Sequence, residues 1–320
     1  MTRTTSVVEL LAVAALVTGV AGCASTSDNA QRTALAALAT PAPTTAAAAT
    51  PTPSAHCTDP TASLRPSSGP IPAGSFMDRI RQRGRLIAGV DQNTLLLGYL
   101  RPSTGRIEGF EVDILREVAR AIFDDPSRIE LRAVTTDQRL PLVRSGTVDV
   151  VADAVTINCG RLRQVAFSTV YFDASQRLLV PSSSRARRLA DLAGHRVCAT
   201  KGSTSLQRIA SDPAHPIPYP VAQRTDCLVA LQQGAVDAIT GDDPFLLGYR
   251  AQDPNTKLIG PPLEEEPYGM AIDKSHPDFV RFVNGVLERI RGDGTWRRLY
   301  RRWFGAVAPA ATPPSPRYEG

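Results

Sequence analysis

Lysine is scarce in this chain. Only Lys201, Lys257 and Lys274 are lysines among 36 basic residues, set against 31 acidic ones for a net charge of +5. The arginines that make up the difference are dispersed, and no run of basic residues exceeds three. Phosphate binding needs basic groups gathered on one face, so the charge reads as a solvated surface and argues against a nucleic-acid partner. Histidine is nearly as rare: His56, His195, His215 and His276 all fall in segments that read as turns or linkers. That leaves no well-placed general base for a hydrolytic nucleophile. The five cysteines contain no CxxC and no pair at zinc-ligand spacing, so neither a metal nor another cofactor is expected. No apolar run is long enough to span a membrane as a helix.

The longest such run, Leu10 to Gly22, is thirteen residues interrupted only by Thr18, and Arg3 precedes it. That is signal-peptide length. Its end, Val20-Ala21-Gly22-Cys23, resembles a bacterial lipobox, which implies a signal peptide over 1–22 and acyl chains on Cys23. The mature chain is then expected on the outer face of the cytoplasmic membrane, held by lipid. In that oxidising compartment Cys57, Cys159, Cys198 and Cys227 read as two disulfides, with three possible connectivities. From Ala24 to about Pro53 the chain is Ala, Thr, Pro and Ser, too poor in apolar groups to order itself. We expect a lipidated tether over 23–77 and, at the other end, an extended proline-rich tail over 306–320.

Between these ends strands and helices alternate. Arg85-Leu-Ile-Ala-Gly-Val90 and Val148–Val155 read as strands. Ile114, Leu115, Val118, Ala119 and Ile122 form a helical stripe, and Phe279, Phe282, Val283, Val286, Leu287 and Ile290 another. A further helix carries Trp296, Leu299, Tyr300 and Trp303. Alternation of this kind predicts an α/β fold with a largely parallel sheet. An internal echo extends the reading. Leu140–Ala154 (LPLVRSGTVDVVADA) overlays Leu228–Asp242 (LVALQQGAVDAITGD) without a gap, each a helix, a glycine turn and a buried strand. Each copy is preceded by an opening strand, RLIAGVD and HRVCATKG, so the chain reads as two similar lobes. Cys198 closes the second opening strand and Cys227 begins the helix beside it, which pairs them and leaves Cys57 for Cys159.

Ligands of open α/β sheets bind beyond the carboxyl ends of the strands. Here those ends are Asp91, then Ala154-Val155-Thr156, then Thr200-Lys201-Gly202-Ser203-Thr204, then Asp242, with Arg161 five residues past Thr156. A free amino acid needs a fork of donors for its carboxylate and an anion for its ammonium, and this set supplies both. Thr156-Ile-Asn-Cys-Gly-Arg161 followed by Val165-Ala-Phe-Ser-Thr-Val-Tyr171 resembles the T-x4-R…FS-x-PY signature of the polar amino-acid solute-binding proteins of ABC importers (family 3). The likeness runs in order from about Asp78 to Gly305, through Gly109–Asp113, DLAGHRVCATKGSTS and GDGTWRRLYRRWFG.

That resemblance implies a type II periplasmic-binding-protein fold: two Rossmann-like lobes joined by two hinge crossings, near Phe172–Ser175 and Glu266–Tyr268. Lobe 1 would take 78–173 and 267–305, and lobe 2 would take 174–266. It implies that Arg161, helped by Thr156 and Thr204, forks onto the α-carboxylate. Asp242 and the Ala154 carbonyl would take the α-ammonium, and Asp91 would face the ligand side chain. Gly202 and Ser203 belong to the same loop, and Lys201 would favour an acidic side chain. The sequence departs from the family pattern at Cys159-Gly160, where an acidic residue usually precedes the arginine, at Val170 in place of proline, and around Thr94, where an aromatic is missing. The expected protein is a monomeric receptor for aspartate or glutamate, or for glutamine or asparagine, that serves an ABC permease. A membrane sensor partner is the alternative, and an enzyme on the same fold ranks below both.

Overall fold

The computed structural model describes residues 57–67 and 69–319. The first lobe opens with α1 (Phe76–Arg83), β1 (Leu86–Val90), a small ribbon of β2 (Asn93–Thr94), β3 (Gly98–Arg101) and β4 (Arg106–Glu108), and α2 (Phe110–Phe123). It continues through β5 (Ile129–Ala133), α3 (Arg139–Arg144), β6 (Val150–Val151), α4 (Cys159–Leu162) and β7 (Ala166–Phe167). The second lobe comprises β8 (Phe172–Pro181), β9 (Arg196–Thr200), α5 (Thr204–Ala210), β10 (Ile217–Val221), α6 (Arg224–Gln232), β11 (Ala238–Asp242), α7 (Asp243–Gln252) and β12 (Thr256–Tyr268). The chain then returns to the first sheet as β13 (Ala271–Ile272) and ends in α8 (Pro277–Gly292) and α9 (Thr295–Phe304).

The two sheets repeat one plan, as the internal echo requires. The first runs β5-β1-β6-β13-β7 and the second β10-β9-β11-β8-β12. In each, the opening strand lies parallel between its two neighbours, and the returning strand pairs antiparallel. The strands β8 and β12 pair with each other from Tyr268↔Phe172 to Thr256↔Pro181, so the two crossings lie side by side. Apolar stripes on α2 and α8 are buried as their spacing predicts, with Val118, Val283 and Leu287 fully covered, except that Phe282 of α8 is only half-buried. On α9, Trp296, Tyr300 and Phe304 sit in the core at a four-residue spacing.

Both disulfides form the expected pairs, Cys57–Cys159 and Cys198–Cys227. Two expectations need correction. Within the segment 23–77 assigned to a tether, residues 57–67 are docked on the first lobe and α1 already begins at Phe76. The Ser63 hydroxyl donates to the Phe167 carbonyl at 2.7 Å, and Asn284 donates to both Ser63 Oγ and the Leu64 carbonyl. The proline-rich tail returns to the same place, where Ser63 and Tyr318 form a parallel bridge. The expected strand over Val148–Val155 pairs only at Val150–Val151. Beyond it Ala154 adopts φ +47, the left-handed region, and its amide donates to the Glu111 carboxylate at 2.7 Å. The chain leaves the sheet there to face the cleft. Cys23 lies outside the described residues.

Candidate functional site

The carboxyl ends of β1, β6, β9 and β11 converge between the lobes, as the rule for open sheets demands. Ala154, Thr156, Ser203, Thr204 and Asp242 line one cavity there, together with Arg139 and Arg224. Its volume is about 20 Å³, room for about one water molecule, so the lobes must part to admit an amino acid.

Arg161 stands directly behind the wall, 7 % exposed, with Nη1 donating to the Thr156 carbonyl at 2.8 Å and Nη2 reaching the Gly202 carbonyl of the other lobe at 3.4 Å. The short helix α4 presents it, capped by the Asn158 side chain. Burial, aided by repulsion from Arg139, pulls Arg161 down to about 9. Its charge is poorly compensated where it lies.

The anions opposite are in the mirror condition. Asp242 accepts from the Tyr268 hydroxyl at 2.6 Å, and burial pushes its carboxyl up. Glu266, on the crossing strand β12, accepts from the hydroxyls of Thr156 and Thr204, one on each lobe. Burial and the neighbouring Asp242 push Glu266 up to about 7, and its Oε1 is buried with no hydrogen-bond partner among the described residues.

Two of the arginines in the wall were not foreseen from the sequence. Arg139 donates to the carbonyls of Asp153 at 2.7 Å and Ala154 at 3.1 Å. Arg224 lies between Asp91 and Asp153 of the first lobe, pairing with Asp91 at 2.7 Å. Each is the first residue of its helix, α3 and α6, and both are buried. A cation at a helix N-terminus opposes the helix dipole, and that misfit was the signal available in the sequence. Asp91 is accordingly taken up by Arg224, by the Thr94 hydroxyl and by the Asn93 amide at 2.9 Å. Lys201 is brought to the rim only: its side chain is exposed and lines no part of the cavity, because the chain turns at Gly202, φ +76. Gly202 contributes its carbonyl to Arg161, and Ser203 caps α5 by accepting from the Leu206 amide. Of the histidines, His195 and His215 are exposed and His276 stacks on Phe76, all away from the cleft. Among the described residues no group of His, Cys, Asp and Glu could hold a metal ion, and no helix is long and apolar enough to cross a membrane.

The chain is similar to known proteins in sequence and in fold. Residues 86–306 match the family described as bacterial extracellular solute-binding proteins, family 3. The ABC transporter glutamine-binding protein GlnH of Bacillus subtilis is 33 % identical over 226 residues, covering 70 % of this chain and 83 % of that protein. The glutamate-binding protein GluB of Corynebacterium glutamicum is 32 % identical over 240 residues, covering 70 % and 80 %. Among solved structures, an ancestral arginine-binding protein bound to glutamine superimposes with a TM-score of 0.66 at 30 % identity, covering 70 % of this chain and 99 % of that one. A match across most of the folded chain, on a pair of lobes with the type II periplasmic-binding-protein topology, places this protein in family 3 of the bacterial extracellular solute-binding proteins, a family of binding proteins and not of enzymes.

Proposed function

We propose that this chain is the lipid-anchored, monomeric receptor that delivers an acidic amino acid, glutamate or aspartate, to an ABC importer, with glutamine and asparagine as weaker ligands. The observation that carries the reading is the imbalance of buried charge in the cleft. Arg161 is held below the ordinary arginine range, while Asp242 and Glu266 are held above the carboxylate range. A zwitterion relieves both at once. Its carboxylate takes the Arg161 guanidinium and displaces Glu266 from the Thr156 and Thr204 hydroxyls, and its ammonium takes Asp242, the Ala154 carbonyl and the released Glu266 carboxylate. Arg224 is already taken up by Asp91 and Asp153, but Arg139 lines the same cavity with its nearest carboxylate, Asp153, at 4.0 Å, and is the guanidinium that a second, side-chain carboxylate would meet. The names of the relatives, glutamine-binding and glutamate-binding, lie in the same range of ligands.

Entry and closure follow from the hinge. Paired crossings at Phe172 and Tyr268 let the lobes swing about one line, and closure removes the carboxylate from water. A thermal-shift panel of the twenty amino acids tests the reading. Glutamate or aspartate should raise the melting temperature most, and a panel in which no polar amino acid raises it would refute the proposal.

A further inference from the structure

A second cavity, separate from the cleft, lies against the hinge. Its volume is about 490 Å³, and it is walled by Phe172 and Asp173 of β8, by Asp243 of α7, and by Trp296, Tyr300 and Phe304 of α9. The tail from Ala308 to Thr312 closes one side. The three aromatics of α9 follow one another at four-residue spacing and stack. Ring centroids are 5.2 Å apart for Trp296–Tyr300 and 5.1 Å for Tyr300–Phe304, with Phe172 5.3 Å from Phe304. Phe110 packs edge-on against all three and fixes the stack.

The charge of this wall is opposite to that of the chain. The protein carries +5 overall, yet the wall holds two carboxylates and no arginine, lysine or histidine. Asp243 accepts from the Ser175 amide at 3.1 Å, and neither it nor Asp173 has an ion-pair partner among the described residues. Burial, with Asp242 next to it, pushes Asp243 up to about 6, and burial with Glu265 nearby raises Asp173. A carboxylate partly withdrawn from water and in no ion pair, offset only by the more distant Arg177 at Asp243 and Arg291 at Asp173, beside a stack of aromatic side chains, is complementary to one ligand chemistry. A positive group gains from the two carboxylates as well as from contact area, a neutral one only from contact area, and an anion is repelled.

We propose that this hinge cavity is a second ligand site, for a small organic cation of the ammonium class. Because α9 belongs to the first lobe and α7 to the second, the bound cation touches both lobes. Its site shares no lining residue with the cleft.

The test uses the whole protein with choline as the probe and 3,3-dimethyl-1-butanol, its uncharged carbon isostere, as the control. Trp296 in the wall provides a fluorescence signal, and saturation-transfer NMR reads contact with the methyl groups directly. Choline should bind at least about tenfold more tightly than the isostere. Asp243→Asn should reduce that preference several-fold, and Asp173→Asn, at the other carboxylate of the wall, should weaken choline as well. Glutamate should not displace choline. Equal binding of the two probes, no binding of choline, unchanged choline binding in both variants, or displacement by glutamate would each overturn the proposal. The first three outcomes leave the cleft reading untouched, so failure here and failure there are distinguishable.

Discussion

Arg224 of the second lobe donates to Asp91 of the first across 2.7 Å, with 6 % of each side chain exposed. The same guanidinium also pairs with Asp153, which is fully buried. One cation from the moving lobe is thereby set between two anions of the other. Truncation to Arg224→Ala would leave Asp91 without a cation and Asp153 with only the more distant Arg139, at 4.0 Å, at a cost of several kcal/mol. Opening the lobes relieves that cost by admitting water, at less expense than unfolding. Small-angle scattering without amino acid should therefore show a larger radius of gyration for the variant. An unchanged radius together with a much lower melting temperature would mean that Arg224 holds the fold rather than the lobe angle.

Glu111 gives a pH prediction. It accepts from the Ala154 amide and the Tyr171 hydroxyl, and burial with Asp153 nearby pushes it up from 4.5 to about 7. A carboxyl raised on folding holds its proton more tightly folded than unfolded. Its contribution is therefore present below about pH 4.5 and is lost as pH rises through about 7. The loss is on the order of 3 kcal/mol. Denaturant unfolding of the wild type and of Glu111→Gln at pH 5 and pH 8 isolates it: the wild type should lose more stability between the two than the variant. Equal losses would show that Glu111 does not titrate as its surroundings imply.

The Cys198–Cys227 disulfide closes a loop of 29 residues between β9 and α6. In the chain-entropy account such a loop contributes roughly 3–4 kcal/mol. The double variant Cys198→Ala, Cys227→Ala should lower the unfolding free energy by about that amount while leaving amino-acid affinity within a few fold. A stability change below about 1 kcal/mol would contradict the assignment.

Anchoring rests on the run ending Val20-Ala21-Gly22-Cys23. Cys23→Ser should move the protein from the membrane fraction to the soluble one or leave it unprocessed. A variant that is processed and retained like the wild type would rule out acylation at Cys23.

What the sequence made legible was whatever repeats or alternates. The echo of Leu140–Ala154 in Leu228–Asp242 located two equivalent strand ends, and Ala154 and Asp242 do line one cavity. The disulfides could be paired because Cys198 and Cys227 sit on elements that the echo places side by side. Arg139 and Arg224 escaped notice because a sequence shows that a residue is charged, not which way its helix start faces. Both lie among many arginines that are exposed. Glu266 was hidden in the run Glu264-Glu265-Glu266, where only the pairing of β12 with β8 decides which carboxylate turns inward: Glu264 and Glu265 are exposed and Glu266 is buried. Lys201 looked like a site residue from its place after β9, but the turn at Gly202 carries its side chain to solvent.

The account turns on Arg161. In the closed cleft it is covered and bonded to two carbonyls, one from each lobe, and its compensation is incomplete. Micromolar binding of an amino acid corresponds to about −8 kcal/mol, and removing one partner of a desolvated charge pair costs about 2–5 kcal/mol. Calorimetric titration of glutamate into wild type and Arg161→Ala, with melting temperatures taken on the same samples, is the most direct test. The account predicts affinity weakened by roughly 30-fold to several thousand-fold, with a much smaller change in the melting temperature of the ligand-free protein. Intact affinity alongside a clearly lowered melting temperature would make Arg161 a structural arginine and contradict the reading of the cleft.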